Sequence, residues 1–119
     1  MVDAQAATAK AALPAGVAFC NGVAANWLVN LAVVQAAASP TAPGKIAALW
    51  FPIMTFIALN LEHSVANMFL LPMAMSLGAE FSAMDAAANI GVVAAGNAVG
   101  AVLMVGVAQK YSLFGGKGL

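Results

Sequence analysis

The sequence predicts an all-α membrane protein with three transmembrane helices, the middle one broken into two half-helices. Three observations carry this reading. Hydrophobic residues make up 64% of the 119 before its 11 glycines are counted, whereas soluble domains average roughly 45–50% with glycine included. Three long stretches are free or almost free of charge: Ala11 to Gly44, whose apolar part ends near Ala38; Ile46 to Leu61, resuming at Ser64 and lasting to Ala79; and Ala86 to Gln109. The polar residues of the second stretch, Asn60, Glu62, His63, Ser64 and Asn67, gather at its centre.

Residues 1–9 form a nearly neutral flank, and the membrane domain runs from 10 to 110. A secretory signal would want a basic start and a short apolar core. Here the start is neutral and the following apolar run is too long, so the flank reads as mature sequence. The first and third stretches each exceed the roughly 20 residues of helix that cross a bilayer. In the first, Asn26 and Asn30 lie four apart and share a face. They either bond to neighbouring helices or flank a polar path.

Ser39 to Gly44, rich in proline and small polar residues, reads as a turn. A single helix from Ile46 to Ala79 would extend about 50 Å, against roughly 30 Å of hydrocarbon. It is therefore expected to break within Asn60, Leu61, Glu62, His63 and Ser64. Irregular backbone at membrane depth persists only where protein encloses it or a cavity borders it. Pro52 and Pro72 can kink either half but lie too far from Glu62 to make the break.

Gly78 to Asp85 links the second stretch to the third. The third carries Gly96 and Gly100 in a G-x-x-x-G, with Gly91 and Ala95 before them. Such faces let helix backbones approach closely, within one chain or between two. Residues 111–119 form a tail. Threading three passes through these loops places Lys45, Lys110 and Lys117 on one side, and Lys10, Asp3, Glu80 and Asp85 on the other. Lysine excess marks the cytoplasmic side, so the C-terminus is expected inside.

Four residues of each charge sign leave no basic surface for nucleic acid. Cys20 has no cysteine to pair with, and one histidine with one cysteine gives no metal-ligand spacing. No metal or other cofactor is expected. The same poverty of titratable side chains supplies no catalytic constellation, so the chain is not read as an enzyme.

His63, the only histidine, is the candidate for chemistry. An ionised side chain at mid-bilayer costs about 2.5–3.5 kcal/mol or more, and intramembrane ionisable residues default to function. A histidine bonded to a carbonyl is the plainer alternative. The concentration of Glu62, Ser64 and Asn67 around it, in a chain with few other polar groups, favours function. As a residue type, imidazole exchanges a proton near neutral pH.

The stretches taken together resemble the formate/nitrite transporter family. The matching residues are Asn26-Trp27-Leu28-Val29 with Leu31-Ala32-Val33, Lys45-Ile46 with Trp50-Phe51-Pro52-Ile53, Glu62-His63-Ser64-Val65-Ala66-Asn67-Met68-Phe69 with Pro72, and Gly96-Asn97 with Gly100. The resemblance implies half of an aquaporin-like six-helix fold, the second of two inverted repeats, in a pentameric channel. It also implies that the chain is a fragment, or a split half completed by a complementary half-chain.

On this resemblance His63 is the central pore histidine and Lys10, 53 residues earlier, the lysine near the outer mouth. Asn26 and Asn67 flank the path, with Glu62 beside the histidine. The sequence departs from the family pattern at Asn60, where glycine is usual; at Val92-Val93-Ala94, where proline-valine-threonine is usual; and at Asn30, where cysteine is common.

The implied transport is of a small monovalent anion such as formate or nitrite, captured near Lys10. The anion passes apolar constrictions beside His63 as the neutral acid, since a bare ion loses its hydration there at large cost. The proton comes from His63 or is taken up by the anion itself. The alternative is a non-transporting half-module or structural membrane subunit.

Overall fold

The computed structural model describes residues 4–114, and every regular element among them is helical. In chain order these are α1 (Ala4–Ala11), α2 (Ala15–Ala38), α3 (Ala42–Ala58), α4 (Ser64–Ser76) and α5 (Ala83–Val99), then a π-helical segment (Gly100–Val107) and α6 (Ala108–Phe114). Asp3 and Lys117, which entered the orientation argument, lie outside the described residues, as do the ends of both terminal flanks.

Helix boundaries follow local chemistry. Pro14 precedes α2, where its missing N–H is no loss at a first turn. The turn after α2 is shorter than expected, because Thr41 caps α3: its hydroxyl accepts from the N–H of Gly44, and Pro43 sits in the first turn. The second linker also gives up residues to a helix. Ser82 and Asp85 form a reciprocal capping box, so α5 begins at Ala83.

α4 ends in a Schellman arrangement. Gly78 takes φ +89°, its N–H bonds to the carbonyl of Met75, and the N–H of Ala79 bonds to that of Ala74.

The second stretch is two helices separated by Leu59 to His63, so helical bonding does not run through Glu62 and His63. Ser64, expected within the break, is instead the first residue of α4. Asn60 adopts φ 48°, a left-handed conformation that asparagine tolerates better than most residues with a Cβ. The departure from glycine at this position is therefore accommodated by the side chain nearest to glycine in backbone freedom. The two halves then take different neighbours: α3 packs on α2, and α4 packs on α5.

Two of the helical stretches, Ala15–Ala38 and Ala83–Tyr111, are long and apolar enough to cross a membrane singly. α3 and α4, with 17 and 13 residues, are shorter apolar helices.

The tightest crossing is α2 on α5. A Cβ on Gly96 would collide with the carbonyl of Phe19, one on Gly100 with that of Val23, and one on Gly22 with that of Val93. The G-x-x-x-G pair is thus consumed by packing within the chain, while Gly91 faces open space. A small core of Ala7, Leu71, Ala74 and Ala86 joins α1, α4 and α5. α1 has no counterpart in the sequence reading, which left residues 1–9 as a flank. Its alanines earn it a place in that core rather than any amphipathic pattern.

The body measures 53 × 36 × 17 Å, with a least dimension under two helix diameters. Trp50, Phe51, Ile46, Ile57, Val65 and Phe69 are accordingly all more than half exposed.

Candidate functional site

The site is built where the broken helix meets α1, α2 and α5. His63 stands immediately before α4 with φ −126° and ψ 119°. In extended backbone successive side chains point to opposite sides. Glu62 and His63 therefore part company: the carboxylate goes into the protein, 1% exposed, and the imidazole to the other, partly exposed side.

Glu62 enters a closed ring of four side chains. The Lys10 ammonium donates to Glu62 Oε1 at 2.5 Å, and its side chain is only 16% exposed. Glu62 Oε2 accepts from Asn67 Nδ2 at 2.7 Å. The same Asn67 nitrogen donates to Asn89 Oδ1 at 2.8 Å, and Asn89 Nδ2 donates to the backbone carbonyl of Lys10 at 2.9 Å. The ring ties the last turn of α1 to the break, to α4 and to α5. It also joins two opposite charges in a site screened from water, the one arrangement in which a buried carboxylate is tolerable.

A second network lies beneath the break. Asn97 Oδ1 accepts from both the N–H and the hydroxyl of Ser64, each at 2.9 Å. Asn97 Nδ2 donates to the carbonyls of Gly22 at 2.8 Å and Glu62 at 3.1 Å. The backbone carbonyl of Asn97 accepts from Asn26 Nδ2 at 2.8 Å, and Asn30 Nδ2 donates to the carbonyl of Asn26 at 2.8 Å. Among the described residues no buried side-chain nitrogen or oxygen lacks a partner.

The His63 ring meets Phe56 edge-on, with centroids 6.1 Å apart and planes at 82°. No hydrogen bond to the imidazole occurs among the described residues. The alternative of a histidine bonded to a neighbouring carbonyl therefore does not describe this one. Its nitrogens are left to whatever occupies the partly exposed side.

The residues predicted from sequence come together, but not in equal standing. Lys10, Glu62 and Asn67 form one ring, and His63 adjoins it. Lys10, expected near the outer mouth, is largely buried with its ammonium paired to the Glu62 carboxylate. Asn67, expected to flank a path, is 1% exposed with its amide nitrogen committed twice. Asn26 sits on α2 against Asn97, apart from the ring.

Asn89, absent from the sequence reading, closes the ring; Asn97, quoted there only beside Gly96, spans the break. Their signal was available, since both are asparagines eight apart on one face of an apolar helix. No metal-binding group of three or more suitable side chains occurs among the described residues.

The sequence matches the family described as formate/nitrite transporter over residues 3–111. It is 43% identical over 95 residues to a probable formate transporter of Methanothermobacter thermautotrophicus, covering 80% of this chain and 35% of that protein. It is 37% identical over 110 residues to the nitrite transporter NirC of Salmonella typhimurium, covering 89% of this chain and 40% of that protein. Among solved structures, an FNT family ion channel superposes with a TM-score of 0.81 at 34% identity, over 91% of this chain and 44% of that one. The chain thus spans less than half the length of these relatives.

Proposed function

Because this chain belongs to the formate/nitrite transporter family, a family of integral membrane transporters rather than enzymes, we propose that it supplies the second half of a channel for small monovalent anions or their neutral acids, with His63 in the transport path. Formate and nitrite are the substrates named for its relatives and are proposed here for the assembled channel. The observation that carries the reading is the divided environment of the break. Glu62 is paired inside the closed ring, and the neighbouring imidazole is partly exposed with neither nitrogen bonded to any described residue.

The ring does two things for transport. It anchors the irregular backbone, and it cancels the carboxylate charge that would otherwise repel an anion approaching His63. Lys10 is proposed to bias anion capture while held in place by Glu62. The imidazole, at the partly exposed side, exchanges the proton that lets the acid cross apolar surroundings uncharged.

In the membrane, α2, the α3–α4 pair and α5 with its continuation are proposed as three crossings of residues 10–110. They form half of the aquaporin-like six-helix fold between the flank 1–9 and the tail 111–119. A cytoplasmic C-terminus in an inner or plasma membrane is proposed, and Lys45 and Lys110 support it. The assembled form is proposed as a pentamer, each unit completed by a complementary half.

A second reading, a half-module that does not transport, is favoured by the slab's exposed apolar faces. One assay separates them: formate and nitrite flux into liposomes holding this chain alone, or this chain co-expressed with the first half of a family member. Flux in either case supports the channel, and pairing-dependent flux supports a split unit. No flux in either, with insertion verified, leaves the half-module.

A further inference from the structure

We infer that Asn97 is the positioning residue of the interruption: its side-chain amide replaces the helical hydrogen bonds lost between α3 and α4, and so fixes where His63 stands. The inference deepens the reading of His63 as part of the transport path. It rests on that reading only for its functional consequence.

Breaking a helix orphans N–H groups at the new start and carbonyls at the new end. Inside lipid those groups cannot turn to water. The residue preceding α4 is His63, whose side chain makes no capping bond. A side chain from another helix does the capping instead. Asn97 accepts from the first N–H of α4, on Ser64, and from the Ser64 hydroxyl, while its nitrogen donates to the carbonyl of Glu62. His63 lies between these two tethered residues and is clamped on both sides by one amide.

The fourth bond, to the carbonyl of Gly22, anchors the amide to α2. Residue 22 has to lack a side chain for this, because a Cβ there would lie 3.3 Å from both nitrogens of Asn97 and closer still to the carbonyl of Val93. Two bonds accepted and two donated use the full capacity of a primary amide. Asn97 is 5% exposed. A group so committed positions the pore residue and does not itself receive the anion.

The chain offers a direct test, because His63 is its only histidine. Histidine-labelled and phenylalanine-labelled full chain in lipid bilayers gives one set of imidazole resonances, with a through-space contact to Phe56 that Phe56→Leu identifies. Asn97→Leu, similar in size and without polar atoms, is expected to abolish that contact or split the imidazole signal into several sets while helical content is kept. Asn30→Ala, which removes only the bond to the Asn26 carbonyl, is expected to leave the signal in place.

If Asn97→Leu does not fold, Asn97→Ser retains one donor and one acceptor and is expected to give an intermediate loss of the contact. A folded Asn97 variant with the unaltered His63–Phe56 contact overturns the inference. Collapse of both variants also overturns it, in favour of a general packing role for Asn97. Flux is not measured here, so failure of the transport reading would leave this result standing.

Discussion

On one side of the interruption four polar side chains close on themselves through bonds of 2.5 to 2.9 Å. On the other, a single imidazole meets an aromatic ring edge-on and makes no hydrogen bond to the described residues. The two sides start one residue apart. Their contrast shows how the same turn of backbone holds two polar side chains of different cost: the carboxylate is matched and enclosed, and the imidazole is left partly exposed. Substitutions on the ring side should therefore damage the fold, and those on the imidazole side should alter transport with the fold intact.

The sharpest way to break the comparison is Lys10→Met. It leaves Glu62 buried without its counter-charge, and removing one partner of a buried pair costs about 3–5 kcal/mol. Denaturation of the assembled protein in detergent should register that loss, and Lys10→Met with Glu62→Leu should recover part of it. If the single variant kept full stability and only lowered apparent anion affinity and its response to ionic strength, Lys10 would be a capture site and the ring a minor contributor.

The crossing beneath the ring gives the next effect. Gly96→Ala forces α2 and α5 apart and is expected to cost about 1–3 kcal/mol, as overpacking does. Gly91→Ala, in open space, should be neutral or stabilise by up to about 1 kcal/mol through helix propensity. Equal effects at both positions in a thermal-melt series would remove the intrachain role assigned to the G-x-x-x-G.

Asn89→Leu opens the ring between Asn67 and Lys10 without removing a charge. A loss of about 1–3 kcal/mol is expected from the two hydrogen bonds removed, Asn67 keeping its bond to Glu62 and the Lys10 carbonyl its bond from Leu13. Faster hydrogen exchange should be confined to α1 and the start of α4. Uniform acceleration along α2 and α3 as well would mean that the ring is not a local clasp.

The smallest stability change belongs to His63→Asn, within about 0.5 kcal/mol, because few contacts are lost. Its effect is expected instead in the pH profile of formate and nitrite flux through a complete channel, which should flatten or move. Glu62 and Lys10, the charged groups nearest the break, stay paired in this variant. An unchanged profile would end the case for proton exchange at His63.

The break itself was legible because length and polarity both announced it: 34 residues were too many for one crossing, and the polar cluster marked the place. The family resemblance brought Lys10 into view, but it carries no information about pairing, so the carboxylate that Lys10 meets went unread. Asn89 and Asn97 were obscured by alanines and glycines, and nothing local reveals which distant carbonyl an amide will meet. α1 escaped notice because AQAATAKA has neither caps nor a stripe. The π-helical segment at Gly100–Val107 gives no sign in composition, and nothing in the structure explains it.

The short α4 also bears on biogenesis. At about 1.5 Å per residue its 13 residues reach roughly 20 Å, short of a bilayer, so it has no strong claim to enter the membrane alone. Its first N–H and the carbonyl of Glu62 find their partner on a residue synthesised more than thirty positions later. As the ribosome moves past α4, the nascent chain holds an unfinished joint that the insertion machinery or surrounding lipid has to shelter. The joint is completed only when α5 arrives and slides its glycine face against α2. A released chain ending between residues 77 and 96 would keep that joint open, and its α4 should be accessible to aqueous probes.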